Sequence, residues 1–219
     1  IKNHNDNGFK EFFAHDINGI CDRLLFSTNS KKGLINAVSL TENYLQILSK
    51  TIYKTYIYKI NNKDNIETIG QQVKLMQTII DSSSKDEILD ILIEEKLRGI
   101  FYGNPIDFFE KDKGKLGFGS TFKDIYSKAL THYSEVINRR NINIHNQGMV
   151  DRRYIRETGS TLKLGTKPQI DEAYLRSAIL LLLGIAATAT HLVLEKTLSE
   201  TYYHKFILSA CREFDRRYR

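Results

Sequence analysis

With 219 residues, 41% of them hydrophobic and 26% charged, the chain is long enough for one sizeable core and too apolar for an intrinsically disordered segment. A net charge of +6 and a pI near 9.1 permit a polyanionic partner without requiring one. Only two prolines interrupt the chain, which leaves room for long helices, and Cys21 and Cys211 lack any CxxC spacing, which reads as two buried thiols in a reducing compartment.

Helical spacing dominates from the start. Phe9, Phe13, Ile17, Ile20 and Leu24 predict a first helix near 9–27, which Asn29-Ser30-Lys31-Lys32-Gly33 is expected to break. Leu34, Val38, Thr41, Leu45, Leu48 and Ile52 predict a long second helix to about residue 59, followed by a turn at Asn61-Asn62-Lys63-Asp64. Ile66, Ile69, Val73, Met76 and Ile80 predict a third helix. Ser84-Lys-Asp-Glu87 has the form of a capping box that opens a fourth helix, ending near Gly99. Residues 100–120, with Pro105 and four glycines, read as a loop. Ser120 or Thr121 then caps a fifth helix whose apolar stripe runs from Phe122 through Tyr126, Ala129, Tyr133, Val136 and Ile137 to Ile144, with Gly148 as its stop. Residues 157–170 are polar and turn-rich, and the alternation at Thr161-Leu-Lys-Leu164 makes a small hairpin a candidate there. Asp171 caps a last helical stretch over about 172–217, broken near Ser199. The predicted fold is all-α, an up-and-down helical bundle, with residues 1–30 as an N-terminal helical extension and 31–219 as the main domain.

Ser177–Leu194 carries no charge across 18 residues, the lower bound for a membrane span. Its alanines, threonines and His191 make it only mildly apolar, which is the composition of a central bundle helix, so no membrane partner is expected. The start of the chain has no charged-then-apolar leader, and the expected location is cytoplasmic.

The most specific chemistry lies in Glu135-Val-Ile-Asn-Arg-Arg-Asn-Ile-Asn-Ile-His-Asn-Gln-Gly-Met-Val-Asp151. Asn138, Asn141 and His145 share one helix face, one turn apart. Arg140 projects instead onto the apolar stripe, where a guanidinium needs an anion or several acceptors. Two readings stand for it: an internal partner, Glu135 or Asp151, or a bound phosphate. A cation, an amide and an imidazole are the groups that cut a phosphodiester without a metal. Arg139, Arg152, Arg153 and Arg156 cluster around the segment, as Arg212, Arg216, Arg217 and Arg219 do at the C-terminus.

Arg-Arg-Asn-x-x-x-His-Asn-x-Gly-x-Val at the end of a helix resembles the HEPN superfamily (higher eukaryotes and prokaryotes nucleotide-binding), whose signature is Arg, a polar residue, then His after four to six intervening positions. Arg140, Asn141 and His145 match it, and the specific likeness is confined to residues 139–154. The resemblance implies a helical bundle, commonly a homodimer, in which two Arg…His motifs form a composite site. It implies a metal-independent endoribonuclease of a toxin–antitoxin, abortive-infection or antiviral defence system, with RNA as substrate and an antitoxin or sensor protein as partner. Some members have lost catalysis and bind nucleotide, RNA or a partner protein instead. One subfamily carries a modified Tyr two residues after the His; Gln147 stands there in this chain, so that regulation is not expected.

On this reading His145 moves a proton, Arg140 holds the phosphate oxygens and Asn141 orients one of them. The 2′-hydroxyl attacks the adjacent phosphate, leaving 2′,3′-cyclic phosphate and 5′-hydroxyl ends. Arg139, Arg152, Arg153 and Arg156 grip flanking phosphates. Tyr154 has two readings, a ring that stacks on an unpaired base and, the commoner case for an aromatic beside a helix end, a packing residue. No cofactor and no metal is expected, because neither HExxH nor a Cys-rich cluster occurs. Gly114-Lys-Leu-Gly-Phe-Gly-Ser-Thr121 is glycine-rich enough to seat a phosphate beside a helix start. It lacks the Gly-Lys-Ser/Thr ending of a nucleotide loop, and a plain connector is the alternative.

Overall fold

A computed structural model of the protein describes residues 28–60, 76–77, 79–82, 84–101, 104–200 and 204–219. The helix expected near 9–27, the turn at 61–64 and Cys21 fall outside them; the third predicted helix is described only at its C-terminal end, where 76–77 and 79–81 are helical. The fold is all-α, a helical bundle, with no strand among the described residues. In chain order the helices are α1 (Asn29–Thr55), α2 (Lys85–Phe101), α3 (Asp107–Glu110), α4 (Thr121–Asp124), α5 (Ser127–His145), α6 (Arg152–Thr158), α7 (Glu172–Leu192) and α8 (Lys205–Tyr218). A 3-10 turn (Ile57–Lys59) follows α1 and a π-helical turn (Val193–Thr197) follows α7.

Local signals explain most ends. Ser84 Oγ accepts the Glu87 amide at 3.2 Å, as the capping box requires, and Asp171 Oδ1 accepts the Tyr174 amide at 2.7 Å to open α7. Ser199, at φ 55°, marks the expected break before α8. The fourth predicted helix ends near Gly99 as expected, at Phe101, whose ring packs on Phe108 at 4.8 Å. Two expectations fail for tertiary reasons. Asn29–Gly33 does not break a helix but begins α1: Gly33 lies against Leu175, which a Cβ there would meet at 3.0 Å, so the glycine serves packing rather than a turn. The fifth predicted helix is two, α4 and α5, separated where Tyr126 turns inward.

The described chain divides into two compact units. The first comprises 28–39 and Tyr133–Leu182. Its local core includes Ile142, Val150 and Tyr154, with Ile155 packed against them. The hairpin expected around 157–170 is not formed. Gly159, in the left-handed region at φ 65°, ends α6, and the hydroxyls of Thr158, Ser160 and Thr166 bond nearby backbone groups, which competes with a ladder. The segment is a fastened loop: the Val150 amide donates to Thr166 O and the Gly165 amide to Val150 O, both at 2.9 Å.

The second unit comprises residues 40–132 and 183–219. A chain of rings runs through it from Phe101 by way of Phe108, Phe109, Phe118, Phe122 and Tyr126 to Phe214 and Tyr218, with centroids 4.8–6.0 Å apart. These rings hold the region between α2 and α5 against its own core although it has little regular structure. Gly184 lets Phe214 lie directly on the backbone of α7; a Cβ there would meet the ring at 2.3 Å. Tyr126 donates to Asp215 at 2.5 Å, and His132 Nδ1 lies 2.7 Å from the Tyr218 hydroxyl, which fixes α8. Cys211 is a free, half-buried thiol, raised in pKa chiefly by that burial. By length and mean hydropathy (2.1) the stretch Glu172–Thr197 is apolar enough to cross a membrane, but 61% of its apolar window is buried within the protein.

Candidate functional site

The candidate site is built on the part of α5 from Tyr133 onward and on the turn that follows. Along the polar stripe, burial falls toward the helix end. Asn138 is buried and its Nδ2 donates to Ser134 O at 2.9 Å, so it serves the helix and stands apart from the exposed chemistry. Asn141 is half-buried and His145, on the last turn, is exposed. The helix ends by a backbone reversal: the Gly148 amide donates back to Ile142 O at 2.8 Å, with Gln147 and Gly148 at φ 51° and 79°. Gly148 is needed because Asn143 Oδ1 would lie 3.0 Å from a Cβ. Asn146 Nδ2 donates to Met149 O at 2.7 Å, tightening the turn. Asp151 then caps α6 by accepting the Tyr154 amide at 2.7 Å.

Arg140 is half-buried and has an interaction partner within the chain. It lies five positions before His145, so the two side chains leave the helix about 140° apart. One copy of α5 therefore presents Asn141 and His145 on a common face but not Arg140 with them.

Glu135, proposed as a partner for Arg140, is the hub of a different arrangement. Its Oε1 lies 2.6 Å from the Arg139 guanidinium and accepts the Tyr154 hydroxyl at 2.8 Å, while Oε2 accepts the Tyr174 hydroxyl at 2.7 Å. Arg139 also lies over the Tyr174 ring, 4.2 Å from its centroid, and donates to Gln169 O at 3.0 Å. The i,i+4 register of a helix explains the choice: Arg139 lies one turn above Glu135, whereas Arg140 is rotated away. Burial and the Glu135 charge both raise the pKa values of Tyr154 and Tyr174, so both stay donors. Burial pulls Arg139 down, but Glu135 and the two tyrosines outweigh it and the guanidinium is held more firmly charged.

Two of the expected RNA contacts are thereby corrected. Arg139 is committed to Glu135, Gln169 and Tyr174 and has no fork left for phosphate. Tyr154 is only 1% exposed, with its hydroxyl on Glu135, so no ring face is open to a base. Arg152 and Arg153 are exposed, and among the described residues neither side chain makes an ion pair. Arg156 is exposed and paired with Glu157 at 3.0 Å. Sequence reasoning missed Glu135 as the hub and Tyr174 as its third arm. The Glu135/Arg139 spacing was a visible signal; nothing local marked Tyr174, which arrives from 39 positions away.

The glycine-rich segment before α4, in the second unit, is neither a phosphate cradle nor a loose connector. Asp112 fills it: Oδ1 accepts the Leu116 amide at 2.9 Å, and Oδ2 those of Gly117 at 3.1 Å and Gly119 at 3.3 Å. The loop carries its own anion. Among the C-terminal arginines of that unit, Arg216 and Arg217 both pair with Glu213, and Arg212 is exposed on α8.

No family model, no curated protein and no solved structure matches this chain.

Proposed function

We propose that the protein is a metal-independent endoribonuclease of a defence or toxin–antitoxin type, acting as a homodimer through Arg140, Asn141 and His145. The observation that carries this reading is the exposed imidazole of His145 on the face of Asn141, followed on α6 by the exposed Arg152 and Arg153, which make no ion pair among the described residues. A neutral imidazole takes the proton from a ribose 2′-hydroxyl as O2′ attacks phosphorus. The P–O5′ bond breaks, and a second acid protonates the leaving oxygen. Because Arg140 and His145 diverge on one helix, a second copy of α5 is the natural source of the missing cation and of the second imidazole. Such a pairing divides base and acid between chains and brings a guanidinium to the phosphorane oxygens.

The same divergence, together with Arg140's engagement inside the chain, favours a second reading: a helical module that binds RNA, nucleotide or a partner protein and does not cut. One experiment separates the two. Purified protein is incubated with end-labelled single-stranded RNA in excess EDTA, beside Arg140→Ala and His145→Ala, with thermal melting of each variant as the control for folding. Cleavage by the wild type alone, giving cyclic-phosphate ends and sparing a 2′-deoxy substrate, is the expected result. Retention of RNA without cleavage establishes the second reading and removes the first. Wild-type cleavage that persists in His145→Ala removes His145 as the proton carrier.

A further inference from the structure

The end of the first unit that carries His145 also carries a loop to which the motif gives no role. The Val150 amide donates to Thr166 O and the Gly165 amide to Val150 O, both at 2.9 Å. This fastens residues 165–166 to a point five residues after His145 and two before Arg152. The loop is formed in advance. Lys163 to Thr166 is a four-residue turn closed by the Thr166 amide on Lys163 O at 3.2 Å and braced by Thr166 Oγ1 on the same oxygen at 2.7 Å. Gly165 supplies the left-handed residue at φ 77°. On the far side Gln169 O is held by Arg139. A turn anchored at both ends loses little entropy when a ligand arrives.

Lys163 and Lys167 flank this turn. Both are exposed, and, like Arg152 and Arg153, neither makes an ion pair among the described residues. The unit's other charges are largely committed: Arg139 to Glu135, Arg156 to Glu157 and Arg176 to Glu172. Of the carboxylates nearby in sequence, Glu157 is paired with Arg156, and Asp151 and Asp171 each accept a backbone amide at a helix start, so part of their charge is offset locally. Apart from Lys31 and Lys32 at the start of α1, which also make no ion pair among the described residues, this leaves Arg152, Arg153, Lys163 and Lys167, carried by two chain segments that Val150 ties together.

We propose that Lys163 and Lys167, with Arg152 and Arg153, form a phosphate-binding rim beside His145 that grips the backbone of single-stranded RNA. This rests on the reading of the His145 end as an RNA site and adds to it the residues that hold the strand. Two lysines are suited to the task because each is a mobile point charge that follows a flexible backbone without demanding one sequence. The turn also exposes Leu162 and Leu164, which raises an anionic membrane surface as the rival. Two leucines on a tight turn offer far less apolar area than an interfacial helix buries, so polyanion binding is favoured over lipid.

The test uses the full chain and a fluorescent 2′-O-methyl oligouridylate, which cannot be cut by 2′-hydroxyl attack. Anisotropy titrations compare wild type, Lys163→Gln/Lys167→Gln and Lys163→Arg/Lys167→Arg at several salt concentrations. The glutamine pair should bind about tenfold more weakly near physiological salt. Its slope of log affinity against log salt should fall by roughly 1.4, about 0.7 for each lost phosphate contact on a single strand. The arginine pair should bind as the wild type does. Equal affinity and equal slope in the glutamine pair overturn the proposal, as does a wild type that binds phosphatidylserine vesicles but not the oligomer. Cleavage of ordinary RNA is scored in parallel. Cutting with no lysine dependence of binding sinks the rim and leaves the nuclease reading standing. Lysine-dependent binding without cutting does the reverse.

Discussion

Two loops of this protein look alike in sequence and behave oppositely. Residues 112–119 and 159–171 are both polar, glycine-bearing connections before a helix, and both contain lysine. In the first, the backbone amides converge on the Asp112 carboxylate, and three further groups hold the carbonyls: Tyr53 on Gly114 O at 2.8 Å, Lys59 on Lys115 O at 2.6 Å and Thr197 on Leu116 O at 2.6 Å. Its anion and its carbonyls are satisfied within the fold, although Lys115 itself is exposed. In the second, the backbone is also satisfied, but by Val150, Arg139 and local hydroxyls, and its cations are left outside. A loop that carries its own counter-ion is a structural device, whereas one that fixes its backbone and leaves charge unspent is prepared for a partner. Glycine content, the feature that draws attention to the first loop, does not separate the two; the fate of the amides does.

Removing the internal anion should produce the largest effect. Asp112→Ala strips three amides, two of them part-buried and that of Gly119 exposed, of their acceptor and places a Cβ residue without a capping side chain at φ 42°. A loss of about 3 kcal/mol is expected in urea unfolding. Asp112→Asn keeps one acceptor oxygen and tolerates the left-handed backbone, so it should cost about half as much. Equal losses would mean that backbone strain, not the carboxylate, dominates. No substitution of a lysine in the second loop should approach either value.

The glycines sharpen the contrast. Gly117 (φ 94°) would bring a Cβ to 2.7 Å from Thr197 Oγ1, so Gly117→Ala combines strain with a clash and should cost about 2–3 kcal/mol. Gly165 (φ 77°) has nothing within 4 Å of a Cβ, so Gly165→Ala should cost about 1 kcal/mol from backbone strain alone. If the two melt alike, the first loop is less tightly held than its hydrogen bonds imply.

Sequence reasoning reached the parts of this molecule that are settled locally. Apolar spacing at Leu34, Val38, Leu45 and Ile52 found α1, and Ser84, Asp171 and Gly148 marked ends correctly because a cap or a reversal needs only its near neighbours. It failed where a distant residue decides. Gly33 reads as a breaker until Leu175 is placed against it, and the hairpin expected at Thr161–Leu164 gives way to a loop whose next residues, Gly165 and Thr166, are fastened by Val150 from outside it. The candidate site shows the same division. His145 and Asn141 are legible as an i,i+4 pair on one helix face, with His145 exposed and Asn141 half-buried. Tyr154 packs, the commoner of its two readings, whereas the commitment of Arg139 is not legible because Tyr174, which joins it on Glu135, comes from another helix.

Tyr53 gives the comparison a pH dependence. Burial first, and then the Asp112 charge, raise its pKa well above the ordinary value near 10. A group whose folded pKa is raised contributes stability that is complete below its unfolded pKa and is lost as pH rises beyond it. At neutral pH Tyr53→Phe should cost about 1.5 kcal/mol, since Gly114 O loses its donor. Above pH 10 the wild-type advantage should shrink by about 1.4 kcal/mol per pH unit and vanish near pH 11. Chemical unfolding of both proteins between pH 8 and 11 checks the crossover. A constant gap across that range would show that the phenol ionises as readily in the fold as out of it. The second loop is fastened by a guanidinium and by backbone amides, so its anchors should show no such change.

The smallest effect is the one that matters most for function. Lys163→Ala and Lys167→Ala remove exposed side chains that make no ion pair among the described residues, so each should change stability by less than about 0.5 kcal/mol. That near-silence is a positive expectation. A residue that contributes nothing to the fold, on a turn that the fold takes trouble to fix, has its energetic role elsewhere. Thermal melts of the two variants, run beside Asp112→Asn, measure both loops on one scale. If either lysine variant loses as much as the aspartate variant, the lysines belong to the architecture, and the division between a self-contained loop and an outward-facing one disappears.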